Sequence, residues 1–183
     1  MAHAVLASLG LQVPSSTLAI GVRTEPLRYE HGLFDHARPE LGVRVADDGL
    51  YPGLTLLHEV GHALDHAVLG EGRGYASEDG QGPTWNAWRA ATVGSDALRA
   101  VRRHLLDPDF PDEAAFAAYL LEPREVFARA FAQLTVELAG TPELRADIAA
   151  LAQREPPQQW APGDFARVRT ATAALVGAPG GAG

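Results

Sequence analysis

One stretch, residues 54–69 (LTLLHEVGHALDHAVL), restricts this chain more than any other part of it. Pro52 and Gly53 precede it and Gly70 follows it, and Leu57, Gly61, Leu64 and Val68 fall on one stripe at helical spacing. Start and stop signals around such a stripe predict a helix of about four turns with one apolar side. Inside it lies His58-Glu59-Val60-Gly61-His62, an H-E-x-x-H pattern. On a helix, positions i and i+4 stack on one face about 6 Å apart, so both histidines can offer a ring nitrogen to one metal ion. Glu59 sits about 100° of rotation from His58, where it can reach a metal-held water without displacing either ligand. The chemistry this implies is that of a zinc hydrolase, with Zn2+ as cofactor.

Composition narrows the possible ligands. The 183 residues include no cysteine, which removes thiolate ligands, disulfides and cysteine nucleophiles, so a metal site here must use His, Asp or Glu. All 15 basic residues are arginine, and with the abundant alanine this suggests a bacterial genome of high GC content. Against them stand 23 acidic residues, for a formal charge of -8, and no basic cluster, so nucleic acid is excluded as a partner on electrostatic grounds. No apolar run reaches the ~18–20 residues of a membrane span, so no membrane is expected either. The first residues, MAHAVLASLG, lack a basic n-region and break at Gly10, which does not read as a secretory signal and slightly favours a cytoplasmic location. The length suits one domain, residues 1–176, with a disordered glycine-rich tail at 177–183; oligomeric state is not legible.

Organisation changes along the chain. Residues 17–22 (TLAIGV) and 41–45 (LGVRV) read as short strands, with a third across 28–34 interrupted at Gly32. After the first helix, residues 70–83 (GEGRGYASEDGQGP) read as a polar, mobile loop. Helices are then expected at 84–93, from Ser95 as N-cap to 106, at 111–121, from Pro123 onward, at 142–154 and at 162–176. Trp85 and Trp88, three apart, are expected to pack against the domain.

A catalytic zinc site needs a third protein ligand. The extended pattern H-E-x-x-H-x-x-G-x-x-H fails here, because Asp65 stands where it needs Gly and Val68 where it needs His. His66 continues the i+4 series one turn too far and is expected not to ligate. Asp65 either orients a ligand histidine or faces solvent. The best donor segment is 121–138, LEPREVFARAFAQLTVEL. On its helical wheel Phe127, Phe131, Leu134 and Leu138 form the core stripe, while Glu125 shares a small-residue flank with Ala128, Ala132 and Val136; Glu122 and Arg129 fall on the polar side. A carboxylate on an alanine-rich flank can approach another helix closely, so Glu125 is the candidate third ligand, its ordinary alternative being a favourable charge at a helix N-terminus.

Two pieces, LLHEVGHALD (56–65) and EPREVFARAF (122–131), resemble zinc peptidases typified by the catalytic domain of anthrax lethal factor, with the clostridial Pro-Pro endopeptidases as relatives. The piece at 122–131 is similar to that family's acidic E-x-F/V-F-A-x-A-F helix. The resemblance spans roughly residues 17–139 and implies that Glu125 binds zinc alongside His58 and His62. It implies that Gly32-Leu33-Phe34-Asp35 and residues 41–45 supply a glycine-aromatic turn and an active-site edge strand. It also implies an α+β, zincin-like fold: a small N-terminal β-sheet, an active-site helix and a mostly helical C-terminal part. In the family a tyrosine seven residues before the ligand Glu supports the transition state; here that position is Ala118, and Tyr119 lies six before. Tyr119 is the candidate catalytic donor, with Tyr75 and His104 as fallbacks. The expected function is a zinc-dependent endopeptidase acting on a peptide or protein substrate with Glu59 as general base; the alternative is a zinc-binding regulatory or interaction module that cleaves little or nothing.

Overall fold

The computed structural model describes residues 32–35, 40–43, 51–107 and 113–178, with side chains in the last two ranges. A short hairpin comes first, strand β1 (Gly32–Asp35) antiparallel to β2 (Glu40–Val43), with Gly32 opposite Val43 and Asp35 opposite Glu40. Helix α1 (Pro52–Ala63) follows, continued by a π-helical segment, Leu64–Leu69. Then come α2 (Ala76–Asp79), α3 (Pro83–Val93), α4 (Asp96–Leu105), α5 (Ala114–Leu120), α6 (Pro123–Ala139), α7 (Pro142–Ala152) and α8 (Pro162–Val176). No helix among the described residues is long and apolar enough to cross a membrane.

The α+β, zincin-like expectation is therefore corrected. Strand pairing among the described residues is confined to one two-stranded hairpin of four residues a side, resting on α1, and the other described elements are all helices. Two strands cannot bury a face of their own, and here the burying is done by helices. The strand expected at 17–22 lies outside the described residues, as do 28–31 of the third strand, residues 44–45 of the second and most of the expected tail, 179–183.

Helix α1 starts where Pro52 presets φ at the first helical position, behind Tyr51 in a left-handed turn at φ 67°. Instead of one apolar side it buries most of its circumference, with Leu54, Leu57 and every residue from Glu59 through Ala63 buried, because it runs between the hairpin, α6 and α7. The main core joins Val60, Ala63 and Leu64 to Trp88 of α3, Phe127, Phe131 and Leu134 of α6, and Phe165 and Val168 of α8. Leu54 and Leu57 meet Ala132 and Val136 of α6 and Ile148 and Leu151 of α7 in a second cluster. Trp88 is buried and Trp85 packs beside it against Phe127, as expected from their spacing.

Polar side chains tie the helices together. Asp164 of α8 accepts from the backbone N–H groups of Asp96 and Ala97 at 2.8 and 2.9 Å, capping α4 alongside the Ser95 hydroxyl. Buried Gln133 of α6 exchanges hydrogen bonds with both backbone groups of Trp160. The expected mobile loop at 70–83 is shorter and better held than its composition implied: it contains α2, and Asp65 accepts from the Ser77 backbone N–H at 2.8 Å and from its hydroxyl at 2.5 Å.

Candidate metal centre

Helices α1 and α6 cross where both carry small residues. A Cβ on Gly61 would lie 2.8 Å from the Ala128 Cα and 3.2 Å from its carbonyl oxygen, so only glycine permits this approach. The contact puts the first turn of α6 beside the histidine face of α1. His58 Nε2 lies 3.1 Å from Glu125 Oε2 and 3.1 Å from His62 Nε2, and His62 Nε2 lies 3.2 Å from Glu125 Oε1. Among the described residues this is the one group of three His, Asp or Glu side chains with ligand atoms close enough to share an ion.

The donor set fits a metal. Around a tetrahedral zinc-sized ion with bonds of ~2.0–2.1 Å, ligand atoms sit about 3.3–3.4 Å apart, close to the three separations here. Both Nε2 atoms and both Glu125 oxygens converge at 3.1–3.2 Å, so once the two Nε2 atoms are free of protons their lone pairs can meet a cation there. Exposure is uneven: the His58 side chain is 19% exposed, those of His62 and Glu125 only 9% and 6%, so the site opens past His58. The arrangement, two histidines a turn apart on one helix and a glutamate from a second, is a metal site of the gluzincin type.

Electrostatics in the metal-free protein follow from this crowding. Burial opposes ionisation of Glu125, but hydrogen bonds from His58 and His62 hold its carboxyl well below the usual carboxylate range. Desolvation lowers His58. It works against the charge on His62 as well, yet the bond to Glu125 and the charges of Glu125, Glu59 and Asp65 outweigh it and raise that imidazole.

Around the three ligands stand the other expected residues. Glu59 is buried on α1 and acts electrostatically on His62, Tyr75 and Tyr119. Tyr119 ends α5, where the chain turns at Leu121 before Glu122 takes the extended conformation that Pro123 demands. Helix persists to Leu120, and burial, followed by the charge of Glu125, pushes the Tyr119 phenol up. Tyr75 stands edge-on to both His62 and His66, at 5.9 and 5.4 Å between ring centroids. His104 instead bonds Glu113, between α4 and α5. Asp65 neither bonds a ligand histidine nor faces solvent: fully buried, it anchors Ser77, and burial pushes its carboxyl up to about 6.

Arg129 departs furthest from expectation. Placed by its wheel position on a polar side, it is 4% exposed, and its guanidinium donates to the carbonyls of Glu125, Leu120 and Gln158 while stacking on Trp160 at 5.3 Å. Burial draws it down to about 10, still charged at neutral pH. It fastens the backbone beside Tyr119 to the turn that carries Glu125. Nothing local signals this, because the three carbonyls come from separate segments. Searches against protein-family models, curated proteins and solved structures found no match to this chain.

Proposed function

We propose that the chain is a zinc-dependent peptidase, with His58, His62 and Glu125 holding the ion. The observation that carries the reading is the convergence of these three side chains from two helices, with Glu59 buried beside them on α1. The two motifs that resemble the lethal factor and Pro-Pro endopeptidase family, around His58 and around Glu125, support it from the side of the residues. Zinc bound there would supply Lewis acidity and lower the pKa of a water to about 7. Glu59 accepts the proton of the attacking water and returns it to the leaving amine. Tyr119 lies in the last turn of α5, and its phenol feels the charges of Glu125 and Glu59, which makes its hydroxyl the candidate donor to the oxyanion that would develop on the substrate carbonyl. Strand β2 lies against α1, and its edge away from β1 has no strand partner among the described residues, so an extended peptide can add there through backbone hydrogen bonds.

The test is Glu59→Gln. The amide keeps the shape and cannot take the proton, so peptide hydrolysis should fall by ~10²–10⁴ while the protein still holds close to one zinc per chain by elemental analysis. Turnover that survives the substitution removes Glu59 from its role. A wild-type protein that binds zinc and cleaves nothing in a broad peptide library leaves a non-catalytic metal module instead.

A further inference from the structure

We infer that Tyr75 is the positioning residue of the ligand His62: its ring fixes the plane of that imidazole, and the Asp65–Ser77 anchor holds the ring in place. This role rests on the metal-site reading above and adds to it what aims one of the ligands.

A histidine that ligates a metal through one nitrogen is ordinarily oriented by an acceptor on the other, because rotation about its Cβ–Cγ bond is broad and weakly restrained. His62 lacks that restraint. Its Nε2 faces His58 and Glu125, while its Nδ1 is buried with no hydrogen-bond partner among the described residues. Packing must therefore set the ring plane. Two rings meet it edge-on, His58 at 4.7 Å between centroids and 86°, and Tyr75 at 5.9 Å and 76°, both favourable aromatic geometries. His58 is itself a ligand on the same helix, so Tyr75 is the ring contact that comes from outside the ligand set.

The stretch around Tyr75, residues 70–83 (GEGRGYASEDGQGP), offers little rigidity by composition, yet its ring is held from several sides. The Tyr75 backbone is extended as it enters α2, and two residues on, buried Ser77 donates its N–H and its hydroxyl to the two oxygens of Asp65 at 2.8 and 2.5 Å. Asp65 is fully buried three residues after His62, so this anchor ties Tyr75 to the helical run that carries the ligand. Arg89 of α3 holds the far end of α2 through the Gly80 carbonyl at 2.7 Å. Across the ring, His66 stands edge-on at 5.4 Å, and the guanidinium of Arg124, the neighbour of Glu125, lies over it at 5.7 Å. Tyr75 thus touches side chains on both sides of the metal centre. The Asp65 carboxylate, which bonds no ligand histidine, acts on one through Ser77 and Tyr75.

The experiment measures zinc affinity by chelator competition and the visible absorption of the Co2+-substituted protein for wild type, Tyr75→Phe, Tyr75→Ala and Ser77→Ala, with the thermal midpoint of chelator-treated protein alongside. The Co2+ bands report ligand geometry, which a loss of stability alone does not move. Tyr75→Ala should weaken zinc binding about tenfold or more and alter the bands, and Tyr75→Phe, which keeps the ring, should restore both. Ser77→Ala should shift both in the same direction, and adding it to Tyr75→Ala should cause no further loss of affinity, because it acts through the ring. Tyr75→Leu keeps much of the bulk without the planar edge and gives the same reading if the alanine variant does not fold. Unchanged affinity and bands in Tyr75→Ala, with or without a lowered midpoint, overturn the role and leave the metal site standing. A loss as large in Tyr75→Phe does so too, since it assigns the effect to the hydroxyl. A wild type that binds no zinc overturns both.

Discussion

At the scale of single residues the site is balanced on one carboxylate, since His58 and His62 lie 3.1 and 3.2 Å from the two oxygens of Glu125. A cation arriving there competes with protons, and the charges of Glu125, Glu59 and Asp65 raise the His62 imidazole despite its desolvation. Because that pKa lies above the ordinary 6.5, the folded, metal-free protein keeps the proton on past that pH and loses its stabilising contribution as pH rises through the raised value. Zinc affinity should accordingly weaken as pH falls through the raised value, and binding at a pH below that value should release a proton. Calorimetry in two buffers of different ionisation enthalpy measures that proton, and a value of zero would contradict the assignment. Tyr119→Phe tests the candidate oxyanion donor. Removing a hydroxyl that acts in the transition state should lower kcat by ~10²–10³ with KM and zinc occupancy little changed. Tyr75→Phe is the comparison, and a loss found there instead would move the donor to the ring against His62.

Between elements, the distance from α1 to α6 decides whether the ligands meet at all, and Gly61 sets it. In Gly61→Ala the new methyl meets Ala128 backbone that cannot rotate away, so the helices must part by some tenths of an ångström. Overpacking of this kind costs ~1–3 kcal/mol, and the same displacement withdraws Glu125 from the histidines. The expected outcome is a lowered thermal midpoint together with zinc affinity reduced by at least tenfold; unchanged affinity would mean that the carboxylate reaches the metal without the close contact. The small flank of α6 was readable from Glu125, Ala128 and Ala132 at helical spacing, because a helix wheel needs only the element's own sequence. Arg129 was misplaced by the same wheel, since its burial depends on Leu120, Gln158 and Trp160 arriving from elsewhere in the chain. The Asp65–Ser77 anchor escaped for that reason as well: the glycines of residues 70–82 report conformational freedom and say nothing of a buried carboxylate waiting one turn beyond His62.

Over the whole molecule, α1 and the helices from α3 to α8 were largely legible, with Pro52, Pro123, Pro142 and Pro162 each marking a first turn, while α2 was hidden in a stretch read as loop. The fold class was not, since short runs such as LGVRV signal a strand without revealing how many strands will pair, and a two-stranded hairpin adds no layer. What results is a helical body in which α1 and α6 share two core clusters and, at their crossing, the metal centre. An ion held there ties two helices that anchor both clusters, so it acts on global stability and not on one loop. Ligand binding only to the native state adds about 2.7 kcal/mol at a free concentration of 100 Kd. For a chain of this size, each kcal/mol raises the midpoint by about 2–4 °C, so zinc should lift the thermal transition by ~5–11 °C over chelator-treated protein. Glu125→Ala should melt at the same temperature with zinc or with chelator, because the ligand from α6 is gone and the remaining pair lies on α1 alone. If the wild-type midpoint ignores zinc while elemental analysis shows it bound, the ion does not bridge these helices, and Glu125 is not its third ligand.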